Sequence, residues 1–278
     1  MRARFDATGT VVVITGGAKG IGHALALEVA AIGGTAVIFD IVEPDVVEPA
    51  VVEPDGEPRG EAVAGITFIR VDVSDPDAVD AAVAEVVRRF GRIDGLVAGA
   101  AVQPRTAVTE MSSEEWRRVV SVNLDGVVWV TRAVAKVMRR QSSGSIVVFT
   151  SGMALTGHPL ASAYVATKAA LIGYAKSLAA ELADARIRVN IVAPGVIDTE
   201  QFRAANEGAD LEHWRSATGI GDPRDVVGPL LFLLSDAASM SGSQLSRERA
   251  FPWQHAADFE RADFERADFE RADFESEQ

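Results

Sequence analysis

Val11-Val12-Val13-Ile14-Thr15-Gly16-Gly17-Ala18-Lys19-Gly20-Ile21-Gly22 is the stretch that decides the fold of this chain. Its β-branched opening reads as a short buried strand, and a glycine-rich turn follows at once. Glycine lets a backbone turn tightly and approach a pyrophosphate. The helix that opens after the turn aims its N-terminal dipole and free N–H groups at that anion. A glycine cluster alone is a weak signal, because any tight turn uses glycine. A strand before it and a helix after it make the signal strong.

Working outward, Ala36-Val37-Ile38-Phe39 is the next buried strand and ends at Asp40, 18 residues past Gly22. A carboxylate there can accept both hydroxyls of an adenosine ribose and repels a 2′-phosphate, which favours NAD over NADP. Lys19 pulls the other way, since a cation in the turn could meet a 2′-phosphate. Further strands are expected at Thr67–Val71, Gly95–Ala98, Ser145–Phe149 and Ile187–Val192. Between them Ser74 is expected to cap a helix that has Pro76 in its first turn and ends at Gly91. Ser112-Ser113-Glu114-Glu115 reads as a capping box opening one long helix to about Arg140. Another helix is expected over 163–182. Pro229 is expected to start or kink a late helix around Leu230–Leu234. Apolar strands alternating with helices predict an α/β fold: a doubly wound parallel sheet in three α/β/α layers.

The 278 residues suit one large domain, and 48% hydrophobic residues supply its core. No cysteine is present, which excludes disulfide scaffolds, cysteine nucleophiles, iron–sulfur clusters and thiolate zinc sites. The four histidines, His23, His158, His213 and His255, lack metal-ligand spacing, so no metal site is expected. No apolar run reaches the roughly 18–20 residues of a membrane span. The N-terminus lacks an apolar signal core, so a cytoplasmic protein is expected.

The net charge of −13 is concentrated in two segments, residues 40–61 and 256–278, and the rest of the chain is neutral. Nothing in that distribution forms a basic footprint for nucleic acid. The first segment contains the repeat IVEPD-VVEPA-VVEPD at 41–55, whose prolines oppose a helix and predict an extended or polyproline-like insert over 41–61. The second reads ADFER-ADFER-ADFER-ADFE over 257–275. A step of five residues advances about 140° beyond a full helical turn, so its phenylalanines form no single face. The expected organisation is one domain over 1–250 and an acidic repeat tail over 251–278 outside the core.

Tyr164 and Lys168 are spaced i, i+4 and share a helix face. A free phenol has a pKa near 10 and is a poor base at neutral pH. A nearby ammonium favours its phenolate, and bringing the phenol into range is worth roughly 4 kcal/mol. Standing alone, the pair could equally be a surface pair. Ser151 follows the fifth strand, where parallel-sheet sites open. Asn123 lies inside the long helix, an unusual place for a side chain that competes for backbone hydrogen bonds. Pro194-Gly195-Val196-Ile197-Asp198-Thr199 follows the sixth strand and lines the same edge.

Taken together, TGGAKGIG, Asp72-Val73, Asn123, Ser151, YVATK over 164–168 and PGVIDT over 194–199 resemble the short-chain dehydrogenase/reductase family over about residues 5–245. The resemblance implies a single Rossmann-type domain, often a dimer or tetramer, that moves hydride between NAD(P) and a ketone or secondary alcohol. It implies Tyr164 as acid/base, Lys168 lowering its pKa and holding the nicotinamide ribose, Ser151 orienting the substrate oxygen, and Asn123 holding a water in a proton relay. It implies cofactor contacts from Gly16, Lys19, Gly20, Ile21, Gly22, Asp40, Asp72, Val73, Gly99, Ala100, Pro194, Ile197 and Thr199.

Three features depart from the family pattern. Ala98-Gly99-Ala100-Ala101 replaces the usual Asn-Asn-Ala-Gly, which loses structural asparagine hydrogen bonds. Ser246-Arg247-Glu248-Arg249 replaces a Val-Asp-Gly-Gly stretch and puts the last strand in doubt. The proline-rich insert flanks Asp40. Residues 200–219 are expected to form a lid over the substrate. Met153, Leu155, His158, Pro159, Phe202, Arg203, Leu211, His213 and Trp214 are its candidate contacts. A cofactor-binding protein without useful catalysis is the alternative reading.

Overall fold

The computed structural model describes residues 4–44 and 65–247. Its strands are β1 (Val11–Thr15), β2 (Thr35–Asp40), β3 (Ile66–Arg70), β4 (Gly95–Ala98), β5 (Gly144–Phe149), β6 (Ile187–Ala193) and β7 (Gln244–Ser246). They form one parallel sheet in the order β3-β2-β1-β4-β5-β6-β7. The strand order reverses between β1 and β4, the switch point where open α/β sheets bind ligands. Thr15 is level with Phe39 on one side and Ala98 on the other, so the three strands end together at that crevice. Every residue of β1 is buried, as expected for a central strand covered on both faces.

Helices cover both faces. On one, α2 (Pro76–Phe90), α4 (Gly126–Gln141) and α6 (Ser162–Glu181) bury Val79, Val83, Val130, Val134 and Leu171 against the sheet. On the other, α1 (Gly20–Ala31) and α9 (Val227–Leu234) bury Leu25, Val29, Leu230 and Leu233. The remaining helices are α3 (Ser113–Val120), α5 (Met153–Thr156), α7 (Glu200–Ala205) and α8 (Glu212–Ala217). No helix among the described residues is long and apolar enough to cross a membrane.

Several local expectations shift. Asp75, not Ser74, caps α2: its Oδ1 accepts from the Asp77 and Ala78 N–H groups at 2.9 and 3.1 Å. Pro76 stands first in the helix, so the cap falls on the residue immediately before it. Ser74 instead donates its hydroxyl to Asp72 at 2.7 Å. Ser112 caps α3 through Glu115 N–H, but the Glu115 carboxylate accepts from Thr106 Oγ1 at 2.9 Å. The helix opened there is not continuous. A π-helical turn over Ser121–Asp125 separates α3 from α4.

Pro229 falls in the first turn of α9, where its missing N–H costs no helical bond. The last strand does form, three residues long, paired with Ile191–Ala193 of β6. The expectations for the insert beyond residue 44 and for the tail fall on 45–64 and 248–278, outside the described residues.

Candidate active site

The turn after β1 is held by a side chain that sequence reasoning overlooked. Thr15 is buried, and its Oγ1 accepts from the N–H groups of Gly99 and Ala100 at 3.0 and 3.1 Å. This bond joins the ends of β1 and β4 where the family would use asparagine. The two segments then approach so closely that a Cβ on Gly16, whose φ is +69°, would lie 2.9 Å from the Ala100 Cα. Glycine is required there for both reasons.

Asp40 faces this turn. Its Oδ2 accepts from Ala18 N–H at 3.1 Å and its Oδ1 from Val42 N–H at 3.2 Å. The register that sets Asp40 opposite Arg70 fixes it at the C-terminal end of β2. Asp72 accepts from the Ser74 N–H at 2.9 Å. Lys19 reaches across to the start of α7, where its Nζ meets Glu200 Oε2 at 2.5 Å.

A cleft of about 780 Å³ runs over these strand ends. Asp40, Asp72 and Val73 border one part. Gly16, Lys19, Gly20, Ile21, Gly22, Gly99 and Ala100 line the middle. Ser151, Tyr164, Lys168, Pro194, Ile197 and Thr199 stand at the other part. Asn123 does not line it. The π turn directs Asn123 onto the loop after β4, where Oδ1 accepts from Val102 N–H at 2.8 Å and Nδ2 donates to Val102 O at 2.9 Å. Among the substrate candidates, Met153 and Phe202 line the cleft. Leu155 points to solvent, 72% exposed. Arg203 is paired with Asp198. His158 stacks on Trp214, with ring centroids 5.8 Å apart, which ties the loop before α6 to α8. Pro159 and Leu211 lie outside the lining, and the side chain of His213 is outside the described set.

Burial dominates the electrostatics at Tyr164. Its side chain keeps partial exposure along the cleft, yet protein crowds it elsewhere, and burial pushes the phenol above its ordinary pKa. The nearby Ser151 hydroxyl and the charge of Arg105 pull in the opposite direction. Lys168 stands beside it. Its ammonium stands over the ring face, 5.7 Å from the centroid, and donates to Phe149 O at 3.0 Å. Burial lowers its own pKa to about 8. The physical reason is common to both groups: loss of hydration penalises phenolate and ammonium alike.

Beyond Thr15, sequence reasoning missed Arg247. Its N–H donates to Ala193 O at 2.9 Å and its Nη2 meets Asp225 Oδ2 at 2.9 Å. The guanidinium packs on Gly221, where a Cβ would come within 2.2 Å of Nη1. Gly221 in turn bridges Ile197 and accepts from Asp198 N–H at 2.8 Å. Arg247, in the segment that departs from the family pattern, thereby buttresses the loop bearing Ile197 and Thr199.

Comparison with known proteins bears on the family. A family model described as short chain dehydrogenase matches residues 10–210. The chain belongs to the short-chain dehydrogenase family. It is 38% identical to a 3-oxoacyl-[acyl-carrier-protein] reductase of Thermotoga maritima, over 85% of this chain and 95% of that one. A protein of the same description from Synechocystis sp. is 36% identical over 84% of this chain and 92% of its own. Among solved structures, an aldohexose dehydrogenase of Thermoplasma acidophilum superposes with a TM-score of 0.74 at 31% identity, covering 86% of this chain and 92% of that one. The short-chain dehydrogenase described here is accordingly a nucleotide-binding oxidoreductase with the Rossmann fold.

The cleft fits an NAD(P) cofactor. The glycine turn leaves no Cβ in the path of a pyrophosphate, and the Asp40 carboxylate is oriented by two backbone donors beside it. Lys168 offers further ammonium hydrogens beyond the one given to Phe149.

Proposed function

We propose that this enzyme interconverts a ketone and a secondary alcohol using NAD. The observation that carries the reading is that the Tyr164 phenol and the Ser151 hydroxyl line the same cleft that begins at the glycine turn. When bound, the nicotinamide supplies or accepts the hydride. The chain's own residues handle the oxygen and its proton. Ser151 donates a hydrogen bond to the carbonyl oxygen and fixes its position. Tyr164 gives its phenolic proton to that oxygen as charge builds there. Reduction consumes the protonated phenol, the form that burial favours. Oxidation needs the phenolate and gains as pH rises.

Lys168 holds the nicotinamide ribose and orders the Tyr164 ring. Asn123 keeps one lone pair on Oδ1 beyond its bond to Val102, with which it can hold a water in a proton relay to Tyr164. Asp40 takes the adenosine ribose hydroxyls, which selects NAD. The pairing of Lys19 with Glu200 across the cleft supports that choice, because it engages the cation that a 2′-phosphate would otherwise recruit.

Replacing Tyr164 by phenylalanine tests the reading. Turnover in both directions falls about 10³-fold, while NADH binding, followed by nicotinamide fluorescence, stays within about twofold. Undiminished turnover in that variant would refute the assignment.

A further inference from the structure

Thr199, Glu200 and Gln201 cross the cleft where α7 begins. Thr199 lies against Gly20, where a Cβ would come within 3.0 Å of its Cγ2. Glu200 Oε2 meets Lys19 Nζ at 2.5 Å. Gln201 Nε2 donates to Ala101 O at 3.3 Å. The first two contacts are to the glycine turn after β1 and the third is to the loop after β4. The start of α7 therefore spans the crevice at the switch point of the sheet. All of these residues line the cleft.

The charges around this crossing are unevenly engaged. Besides Glu200, the carboxylates lining the cleft are Asp40 and Asp72, and both accept from backbone N–H groups. The cations lining it are Lys19, Arg118 and Lys168. Lys168 is buried at the Tyr164 end, and Arg118 stands on α3. Lys19 is therefore the cation of the glycine turn. It directly precedes α1, whose first turn carries no acidic residue. The carboxylate that meets it comes from 181 residues further along the chain. Arg203, which also feels the Glu200 charge, is held by Asp198 through two bonds. A turn shaped for a pyrophosphate thus has an anion of the protein's own on its cation. A carboxylate and a phosphate compete for one ammonium and repel each other. The Lys19 and Glu200 side chains are 55% and 65% exposed, so their pair is weak and yields to a stronger anion.

We propose that Glu200 is an internal competitor for Lys19: its carboxylate holds the ammonium that a phosphate of the cofactor takes, and so loosens cofactor binding. An arriving phosphate displaces the carboxylate and leaves it as a like charge beside the bound anion. Glu200 is then an affinity-determining residue that touches no reacting atom, and it speeds release of the cofactor after hydride transfer. A purely structural role, in which Glu200 pins α7 across the cleft and helps to retain the cofactor, predicts the opposite sign. The inference rests on the reading of the cleft as an NAD(P) site and not on the role of Tyr164.

Calorimetric titration of ADP-ribose, NADH and NADPH into the unaltered protein and into Glu200→Gln tests this without turnover. The variant should bind about two- to fivefold more tightly at low salt, and the gain should shrink in about 0.5 M salt. Release of bound cofactor, followed by nicotinamide fluorescence, should slow by a similar factor. Equal gains on the three ligands assign the competition to the pyrophosphate. A gain larger for NADPH, or confined to it, assigns the competition to the 2′-phosphate. No gain on any ligand, or weaker binding of all three, would overturn the inference. In a Lys19→Met background the exchange at Glu200 should bring a smaller gain. An undiminished gain there would show that Glu200 acts without Lys19 and would also overturn it. An unaltered protein that binds none of the three ligands breaks the cofactor reading and this inference with it. Binding that is present but indifferent to Glu200 breaks this inference alone.

Discussion

At the glycine turn the cleft is made of backbone. Gly16 to Gly22, the Gly99–Ala100 pair and the orienting bonds on Asp40 all come from strand ends fixed by the sheet register. At Tyr164 it is made of side chains brought in by separate pieces: Ser151 after β5, Tyr164 and Lys168 on α6, Gln103 on the loop after β4, and Phe202 on α7. The first region has its geometry set by the sheet register and by glycines in tight turns. The second has its chemistry set by burial, which acts on every ionisable group at once. The contrast explains why burial opposes charge on both Lys168 and Tyr164: a site dry enough to strengthen charge effects also withdraws the water that stabilises the charges.

Substitutions in the two regions sharpen that contrast, and Lys168 gives the largest effect. The buried ammonium has a folded pKa of about 8 against an ordinary 10.5, so below pH 8 both folded and unfolded chains are protonated and the fold bears the full cost. Between about pH 8 and 10.5 the folded state loses its proton first, and stability rises. Relative to Lys168→Met, the unaltered protein should therefore gain roughly 3 kcal/mol across that window, read from denaturant midpoints at the two ends. A constant difference would mean that Lys168 is better solvated than its surroundings indicate.

At the backbone-built end, Asp40→Ala should reduce discrimination against NADP by about 10- to 100-fold, measured as the ratio of kcat/KM for the two cofactors. An unchanged ratio would remove Asp40 from the ribose. Thr15→Val leaves the Gly99 and Ala100 N–H groups without their acceptor and should cost about 1–3 kcal/mol of stability. Thr15→Ser should recover most of it. The smallest effect is expected at Arg247. Arg247→Ala should raise the cofactor KM about three- to tenfold with kcat nearly unchanged, because it loosens the Ile197–Thr199 loop without touching reacting atoms.

Legibility follows the same division. The strand-turn-helix at Val11–Gly22, the Asp40 strand end and the PGVIDT loop were readable because local pattern determines them. The strand boundaries moved by a residue or so at β5 and β6. The cap at Asp75 was missed because two adjacent residues, Ser74 and Asp75, could both cap, and the position of Pro76 settles which one does. The π turn that directs Asn123 onto Val102 has no sequence signature beyond an asparagine out of place in a helix. Arg105 and Arg247 were invisible for another reason. What distinguishes them from surface arginines is what surrounds them, and their neighbours come from distant parts of the chain. Thr15 could have been found: a hydroxyl ending the central strand, beside a turn that lacks the usual asparagine, is a ready acceptor for the facing backbone.

The account depends most on Tyr164 being a protonated phenol at neutral pH in the free enzyme. The chain has two tyrosines, and Tyr174 is also held above its ordinary pKa by burial. In Tyr174→Phe protein, tyrosinate absorbance therefore reports Tyr164 alone. The account predicts that this phenol ionises above the ordinary range of a free tyrosine in the absence of cofactor. A full ionisation step near pH 7 would contradict it and return the control of that phenol to Lys168.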